Sequence, residues 1–273
     1  MKKTITSTAN EEIKFIRKLQ IKKFRDESGL FLTEGIRPVL EAAEQKAGIQ
    51  RIIYCPTILK SAVAKSFIEG NQDNDILIIE VDEKVFQSIA SKEGPQGIAA
   101  VVSQKWFYLD EILKEKIGIW VGLNSVQDPG NLGSILRTLD AIGGKGLVLL
   151  DQTTDAYHPT SVRASMGAIF TQKMIKVQID EFIQWKGTNE VPCFGTDCNN
   201  GIDYQKVEYP DRMILLMGSE QKGLDPQLAE SCDGLIHIPM RGNVDSLNLA
   251  NAASIILYEV YNQNRRINQQ VKK

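Results

Sequence analysis

The sequence has no long, uninterrupted apolar segment of the kind that crosses a membrane. Its first residues, MKKTITSTANEEIK, begin with basic charge, but no apolar stretch of a secretory leader follows them. Hydrophobic residues make up 42% and charged residues 24% of the 273 residues, which is typical of a globular protein with a buried core. We therefore expect a cytoplasmic protein without a membrane segment, long enough to form two compact domains.

Cysteine and histidine are scarce, with four and two residues in the chain. No CxxC pair is present, and no histidine stands at metal-ligand spacing from a cysteine. We expect buried thiols rather than disulfides, and no metal site. The cysteines are Cys55, Cys193, Cys198 and Cys232.

Two common nucleotide-binding signatures are missing as well. The chain contains neither the GxGxxG fingerprint of a dinucleotide site nor a GxxxxGK[ST] phosphate loop. This disfavours a Rossmann-type dehydrogenase or methyltransferase. The formal net charge of -2 also excludes a generally basic protein, so any nucleic-acid surface has to be a local patch.

The first part of the chain predicts a small α/β domain. Residues 11–26, EEIKFIRKLQIKKFRD, repeat apolar residues at helical spacing and predict one amphipathic helix with a dense basic face. Such a face is either an ordinary solvated surface or a phosphate-binding surface. Between residues 30 and 103, strand-like and helical segments then alternate, as in the run DILIIEV followed by EKVFQSIA.

A mainly parallel sheet with helices on both faces is predicted for the second part. Apolar strand-like runs alternate with helical segments there; the runs are IGIWVGLN, GLVLL, KMIKVQI, MILLMG and IHIP. The sequence Asp128-Pro129-Gly130 predicts a turn, and Asn131 is expected to cap the helix after it. Ser246 is expected to cap the last helix in the same way.

Three stretches of this second part each contain the end of a predicted strand and the loop that follows it. They are NSVQDPGNLGSILRTLDAIG at 124–143, LLMGSEQKGL at 215–224 and IHIPMRGNVDSLNLANAASIILY at 236–258. The carboxyl ends of parallel strands are the usual ligand-binding edge of an open α/β sheet. In order, separation and residues, the three stretches resemble the motifs of the SpoU (TrmH) family of RNA ribose 2′-O-methyltransferases, in the SPOUT superfamily.

This resemblance implies a domain organisation and a fold. The phrases FLTEGIRPV and GPQGIAAVV are similar to a substrate-binding domain, itself like ribosomal protein L7Ae, that precedes the catalytic domain in many SpoU enzymes. We therefore expect an RNA-binding domain at 1–105, a linker at 106–116 and a methyltransferase domain at 117–273. The resemblance also implies a deep trefoil knot in the last domain, a homodimer, and S-adenosylmethionine as the cofactor.

The resemblance assigns roles to individual residues. It places the chemistry on Arg137, Asn131, Glu220, Ser246 and Asn248. It places S-adenosylmethionine on Gly218, Ser219, Glu220, Ile238, Met240, Ser246, Leu247 and Asn248. Together with the basic segment, it favours RNA contacts by Lys14, Arg17, Lys18, Lys22, Lys23, Arg25, Arg37, Arg163 and Ser165.

Arg137 matches the arginine to which the family assigns the chemistry, in some accounts as a base. A guanidinium group has five donors and no acceptor, so literal base action requires an unusual change of its protonation. Our hypothesis is that Arg137 holds the adjacent phosphate and stabilises the negative charge that develops on the 2′-oxygen.

The substrate and the class of function are less constrained than the reaction. Ribosomal RNA is favoured because of the L7Ae-like domain, and transfer RNA is the second candidate. One alternative is a non-catalytic RNA-binding or ribosome-assembly factor that keeps the fold without turnover. Another is a resistance methyltransferase, which shares the chemistry and differs in the nucleotide that it modifies.

Overall fold

Strands and helices alternate along the chain, as the sequence predicts. The computed structural model describes residues 2–71, 76–90, 94–198 and 200–270, with side chains up to residue 265. The chain divides into two compact units, of which the first consists of Met1–Gln104 together with Tyr157–Thr171. The second unit consists of Lys105–Ala156 and Gln172–Lys273.

The elements are numbered in chain order. The strands are β1 (Lys2–Ile5), β2 (Leu30–Glu34), β3 (Ile49–Tyr54), β4 (Leu77–Val81), β5 (Ile98–Ser103), β6 (Gly118–Asn124), β7 (Gly146–Leu150), β8 (Lys173–Val177), β9 (Cys193–Thr196), β10 (Ile202–Asp203), β11 (Arg212–Met217) and β12 (Gly234–His237). The α-helices are α1 (Glu11–Lys18), α2 (Lys22–Ser28), α3 (Ile36–Glu44), α4 (Ala62–Gly70), α5 (Glu83–Ile89), α6 (Pro129–Ala141), α7 (Pro159–Ala164), α8 (Ile179–Asn189), α9 (Pro226–Ser231) and α10 (Leu249–Gln270). Short 3-10 turns lie at Leu109–Glu111 and Ala168–Phe170.

The first unit contains a mixed five-stranded sheet in the order β1-β4-β3-β5-β2. Strands β1, β4 and β3 pair in parallel, whereas β5 is antiparallel to both β3 and β2. Strand β1 has no counterpart in the sequence prediction, because only Ile5 of its four residues is buried and no apolar run announces it. The small α/β domain expected from the sequence is otherwise confirmed.

The predicted single helix at 11–26 is wrong, because two shorter helices, α1 and α2, occupy this region. Leu19 is fully buried at the break, and its carbonyl oxygen accepts a hydrogen bond of 2.7 Å from Nη1 of Arg25. The Gln20 side chain also leaves the helix and donates to the carbonyl of Ile89 at 3.1 Å. These contacts replace intrahelical hydrogen bonds, so a break between the two helices carries little cost.

The segment Tyr157–Thr171 groups with the first unit although it connects β7 to β8 of the second. Its aromatic residues pack on Phe31 of β2, with ring centroids 4.6 Å from Tyr157 and 6.1 Å from Phe170. Gly167 passes so close to α3 that a Cβ atom there would lie 2.9 Å from Cγ of Glu41. Apolar burial therefore holds this segment in the first unit.

The second unit is built on a seven-stranded sheet in the order β10-β12-β9-β11-β6-β7-β8. All of its strand pairs are parallel, so the predicted α/β fold with a mainly parallel sheet is confirmed. Strand β6 is buried along its whole length, which matches the apolar run IGIWVGLN. The trefoil knot implied by the resemblance stays a prediction.

Residues just after Gln104 already belong to the second unit. The backbone N–H of Phe107 donates to the carbonyl of Met174 at 2.8 Å, and Ile112 is fully buried in the core of this unit. Within the described ranges, none of the helices combines the length and the apolar character needed to span a membrane.

Candidate functional site

A cavity of about 430 Å³ opens at the carboxyl ends of β9, β11 and β12. This is the edge at which an open parallel sheet usually holds its ligand. Seven of the eight residues predicted to bind the cofactor line it, and Asn248 lies beside it rather than in its wall. The seven are Gly218, Ser219, Glu220, Ile238, Met240, Ser246 and Leu247.

Five further apolar residues of the cavity wall were not predicted from the sequence. Leu235 and Ile236 belong to β12, Leu224 to the loop between β11 and α9, and Leu249 and Ile256 to α10. Leu235 and Ile236 lie just before the predicted residue Ile238. Because ligands usually bind at the carboxyl ends of parallel strands, these two residues could have been predicted. The other three had no local signal, because an apolar residue at helical spacing usually marks a core position.

The loop between β11 and α9 folds back sharply on itself to form one side of the cavity. A Cβ atom at Gly218 would lie 2.0 Å from the carbonyl carbon and oxygen of Gly223, so only glycine fits there. Gly223 itself has a φ of +70°. Ser219 closes the turn, because its carbonyl accepts from the N–H of Gly223 at 2.9 Å and its Oγ accepts from the N–H of Lys222 at 3.2 Å.

The helix α6 begins earlier than the sequence predicts, and Asn131 is not its cap. Asp128 caps the helix through Oδ1, which accepts from the N–H of Gly130 at 2.7 Å, and Pro129 opens the first turn. Asn131 is therefore already inside the helix, where its side chain is buried. Because Asp128 does the capping, the amide of Asn131 is released for contacts with other segments.

The cap predicted at Ser246 is also wrong. Helix α10 begins at Leu249, and Oδ1 of Asn248 accepts from the N–H groups of Ala250 and Asn251 at 3.0 and 3.4 Å. Ser246 lies two residues before this cap and lines the cavity instead. An asparagine is as good a helix cap as a serine, so residue type alone did not separate the two positions.

One chain of hydrogen bonds connects the three motif segments. Nδ2 of Asn248 donates to Oδ1 of Asn131 at 2.9 Å, and Nδ2 of Asn131 donates to Oε1 of Glu220 at 2.6 Å. The chain thus runs in one direction, from the amino end of α10 to a carboxylate. The last bond is charge-assisted, and successive bonds of one direction strengthen one another. The arrangement orients the carboxylate of Glu220 beside the cavity.

Arg137 is exposed on α6, almost two turns after Asn131. It does not line the cavity, and among the described residues it forms no hydrogen bond or ion pair. The helix that carries it is fixed on α10, since the hydroxyl groups of Thr138 and Ser254 are 2.9 Å apart. The structure therefore brings Asn131, Glu220 and Asn248 together but leaves Arg137 facing solvent, with its donors available.

Two of the predicted RNA-binding residues are buried. Arg25 has only 1% of its surface exposed, and its guanidinium donates to the carbonyl of Leu19. Ser165 is equally buried, and its hydroxyl donates to the carbonyl of Val162 at 2.7 Å. The expected exposure of both residues is wrong, because each side chain satisfies backbone groups of its own unit.

The remaining basic residues differ in what surrounds them. Lys14, Lys22 and Lys23 pair with acidic residues three or four positions away on their own helices, at 2.8, 2.6 and 3.8 Å. Arg17 donates to the carbonyl of Thr8 at 2.6 Å, and Lys18 lies over the ring of Phe24. Arg37 on α3 and Arg163 on α7 are exposed and form no ion pair with another described residue.

The cysteines follow the prediction only in part. Cys55 and Cys193 are buried and Cys232 is half-buried, but Cys198 is exposed, so the expectation of a buried thiol is wrong there. The thiol of Cys193 hydrogen-bonds to Cys232, which raises the pKa of Cys193, with burial adding to the rise, and lowers the pKa of Cys232. Among the described residues, no group of three or more histidine, cysteine or acidic side chains is arranged to hold a metal.

Comparison with known proteins identifies both parts of the chain. Residues 118–258 match the SpoU rRNA Methylase family, and residues 10–100 match the MRM3-like substrate binding domain. A 23S rRNA (guanosine(2553)-2′-O)-methyltransferase of Bacillus subtilis (strain 168) is 31% identical over 94% of this chain and 99% of its own length.

Solved structures agree with this match. An AdoMet-bound rRNA methyltransferase from Sinorhizobium meliloti superposes with a TM-score of 0.86 at 35% identity, covering 96% of this chain and 98% of that one. The SpoU methyltransferase AviRb from Streptomyces viridochromogenes, in complex with AdoMet, superposes with a TM-score of 0.85 at 28% identity, covering 94% and 98%. As the three sequence motifs predict, the chain belongs to the SpoU rRNA Methylase family.

Proposed function

We propose that this chain is an RNA (nucleoside-2′-O-)-methyltransferase that uses S-adenosylmethionine to methylate a ribose 2′-hydroxyl in ribosomal RNA. The observation that carries the proposal is the meeting of three motif segments at one cavity. The second and third segments line it, and Asn131 of the first is hydrogen-bonded to both. The B. subtilis relative is named for this reaction on 23S rRNA, which favours ribosomal over transfer RNA.

The cavity fits S-adenosylmethionine in size and in chemistry. Its volume of about 430 Å³ lies in the usual range for small-molecule sites, which runs from about 300 to 1,000 Å³. The apolar wall suits a flat adenine ring, and Gly218 and Gly223 line the cavity without side chains, so a ligand can approach the backbone closely there. The cavity also contains the acidic side chains of Glu220 and Asp245, which suit a ligand with a sulfonium and an ammonium group.

We assign the cofactor to the loop at 218–224 and to the residues Ile238, Met240, Ser246 and Leu247. Bound S-adenosylmethionine would supply an electrophilic methyl group for the ribose 2′-oxygen.

Arg137 and the hydrogen-bonded chain have separate tasks in this proposal. The exposed guanidinium of Arg137 holds the adjacent phosphate and stabilises negative charge on the 2′-oxygen, as a donor placed where charge develops. Asn248 and Asn131 orient the carboxylate of Glu220 beside the cavity. Positioning of the ribose supplies the rest of the rate increase.

We assign RNA binding to residues 1–105, with a linker at 106–116, and methyl transfer to 117–273. The matches to a substrate binding domain at 10–100 and to the SpoU methylase at 118–258 support this division. Arg37 and Arg163 both belong to the first unit and are exposed, so they are the strongest candidates for phosphate contacts.

Transfer of labelled methyl groups into unmodified ribosomal and transfer RNA tests the function directly. Label is expected in ribosomal RNA, at a nucleotide that resists alkaline cleavage because its 2′-oxygen is blocked. Arg137→Ala is expected to lower the rate about a hundredfold, the usual cost of removing one donor from a developing charge. Arg212→Ala, at the opposite end of β11 from the cavity, is the matched control and is expected to keep the wild-type rate.

The outcomes separate the candidate functions. Label only in transfer RNA would change the substrate but keep the reaction. No label in either RNA, together with no binding of S-adenosylmethionine by calorimetry, would favour the non-catalytic RNA-binding factor instead.

We further infer a homodimer in the cytoplasm. Helix α10 leaves the apolar side chains of Ile255 and Tyr258 exposed, at 36% and 45%. Light scattering is expected to give twice the chain mass, and Ile255→Lys is expected to give the monomer. A monomeric wild-type protein would contradict the dimer, and cell fractionation tests the location.

A further inference from the structure

Strand β6 ends in a buried polar residue to which the motifs assign no role. Asn124 has only 3% of its surface exposed, and its Oδ1 accepts a hydrogen bond of 3.0 Å from the backbone N–H of Asp225. The two residues are 101 positions apart in the sequence. Nδ2 of Asn124 donates at 3.4 Å to the hydroxyl of the next residue, Ser125. The φ of Ser125 is +56°, which turns the chain away from the strand.

Asp225 is the point at which the cavity loop ends. The loop leaves β11 at Met217, folds back between Gly218 and Gly223, and reaches Asp225, which caps α9 by accepting from the N–H of Gln227 at 2.9 Å. The cavity residues of this loop lie between those ends. The fixed position of Asp225 therefore decides how the loop approaches the cavity.

Two hydrogen bonds hold this loop to β6 and α6, on either side of the short segment that joins them. Asn131 binds Glu220 near the middle of the loop, and Asn124 binds Asp225 at its end. The two asparagines stand seven positions apart, one on each side of that short connection. The two asparagines therefore fix the loop at two points.

We propose that Asn124 is a positioning residue for S-adenosylmethionine, which it serves by fixing the end of the loop before the cofactor arrives. This inference rests on the proposed function. A loop that is held in its binding conformation loses less entropy when the ligand binds, so its effect falls on affinity. Once the cofactor is bound, its own contacts hold the loop, so the rate at saturation is largely independent of Asn124.

Asn124→Leu tests the inference because leucine fills the space but leaves the N–H of Asp225 without an acceptor. The affinity for S-adenosylmethionine, measured by calorimetry, is expected to fall about tenfold, as for the loss of one buried hydrogen bond. The KM for the cofactor rises in parallel, and kcat stays within about threefold of wild type. Asn124→Asp keeps an oxygen at the same place and is expected to restore most of the affinity.

Amide exchange in the cofactor-free protein gives a readout that does not depend on activity. The N–H of Asp225 is expected to exchange at least about tenfold faster in Asn124→Leu than in wild type, because its hydrogen bond is lost. Gln127→Leu is the matched control: it removes side-chain bonds to the carbonyls of Ser125 and Gln152 from the same connection but none to the loop. It is expected to change neither the exchange nor the affinity.

A second pair of variants keeps the test open if Asn124→Leu does not fold. Asp225 has a φ of -56°, which proline adopts, so Asp225→Pro removes the N–H without straining φ, while its ring Cδ displaces the Asn124 side chain from its place beside the nitrogen. Asp225→Ala loses the same helix cap but keeps the N–H. The inference requires the proline variant to bind S-adenosylmethionine about tenfold more weakly than the alanine variant.

The outcomes are distinct for the inference and for the function beneath it. A wild-type protein that does not bind S-adenosylmethionine overturns the proposed function. A wild type that binds, with unchanged affinity and unchanged Asp225 exchange in the folded Asn124→Leu variant, overturns only the role of Asn124. A loss of kcat at an unchanged KM does the same, because it would place Asn124 in the chemical step.

Discussion

The basic helices of the first unit and the cavity segments of the second satisfy their polar groups in opposite ways. Lys22 of α2 pairs with Asp26, four positions away, whereas Asn131 of α6 bonds to Glu220, 89 positions away. Local pairs on an exposed helix contribute about 0.3–0.5 kcal/mol each and can form in the isolated segment. Long-range bonds form only when the sheet has brought distant strand ends together.

The difference indicates where function lies in each unit. The densest basic segment of the chain pairs largely with its own acidic residues or makes internal contacts, so we predict that it is a solvated face. The cavity segments carry few charges, yet their amides are connected across the fold, and that of Asn131 is buried. A buried amide without its partner costs about 1–3 kcal/mol, so these residues are the sensitive ones.

The largest effect is expected from Asn131→Asp, which breaks the long-range contact at its centre. The substitution replaces the donor 2.6 Å from Oε1 of Glu220 with a carboxylate oxygen, so two negative groups face each other in a partly buried position. We expect methyl transfer to fall about a hundredfold, which corresponds to about 2.7 kcal/mol. The measurement is kcat/KM for labelled methyl transfer.

Asn251→Asp is the matched control for that variant. It makes the same chemical change three residues after Asn248, on the exposed side of the first turn of α10, where a negative charge is compatible with the helix dipole. It is expected to keep activity within about twofold. Equal losses in the two variants would mean that charge near the cavity matters and the contact with Glu220 does not.

A smaller effect is expected from Asn248→Asp, which separates the two tasks of Asn248. The carboxylate still accepts from the N–H groups of Ala250 and Asn251, so the cap on α10 and the stability of the fold are retained. The donor to Oδ1 of Asn131 is lost, and methyl transfer is expected to fall about tenfold. The denaturant midpoint measures the stability of the fold, and kcat/KM of the same sample measures methyl transfer. A destabilised protein with normal kcat/KM would assign Asn248 to the cap alone.

The same division between local and long-range contacts explains what could be predicted from the sequence. Asp82 caps α5 locally, since its Oδ1 accepts from the N–H of Val85 three positions later, and the parallel strands of the second unit follow from apolar runs of strand length. The caps at Asn131 and Ser246 were assigned wrongly because each has a second capping residue two or three positions away, and only the fold selects between them.

No local pattern encodes the contacts that cross the fold. The hydrogen bond between Asn124 and Asp225 depends on the pairing of β6 with β11 in the sheet. The sequence of neither strand predicts that pairing. The packing of Tyr157 on Phe31 likewise joins residues that the sequence assigns to different domains. The family motifs predicted where the site lies, whereas the hydrogen bonds that connect its residues became visible only in the structure.

The smallest effect is expected on RNA affinity. The test compares basic residues that form no ion pair among the described residues with basic residues that form one. Arg37→Gln with Arg163→Gln removes two exposed arginines that have no ion pair among the described residues, whereas Lys22→Gln with Lys23→Gln removes two lysines that pair with their own helix. The arginine pair is expected to weaken RNA binding about fivefold and to lower the slope of log affinity against log salt by about 2.

The lysine pair makes the same change of net charge, so it is the control for that comparison. We expect less than about a twofold loss of affinity and an unchanged slope, because a lysine already held by a carboxylate releases few counterions when RNA binds. Filter binding at several salt concentrations measures both quantities. If the lysine pair has the larger effect, the basic face of α1 and α2 binds phosphate after all, because the local ion pairs then exchange their carboxylates for RNA.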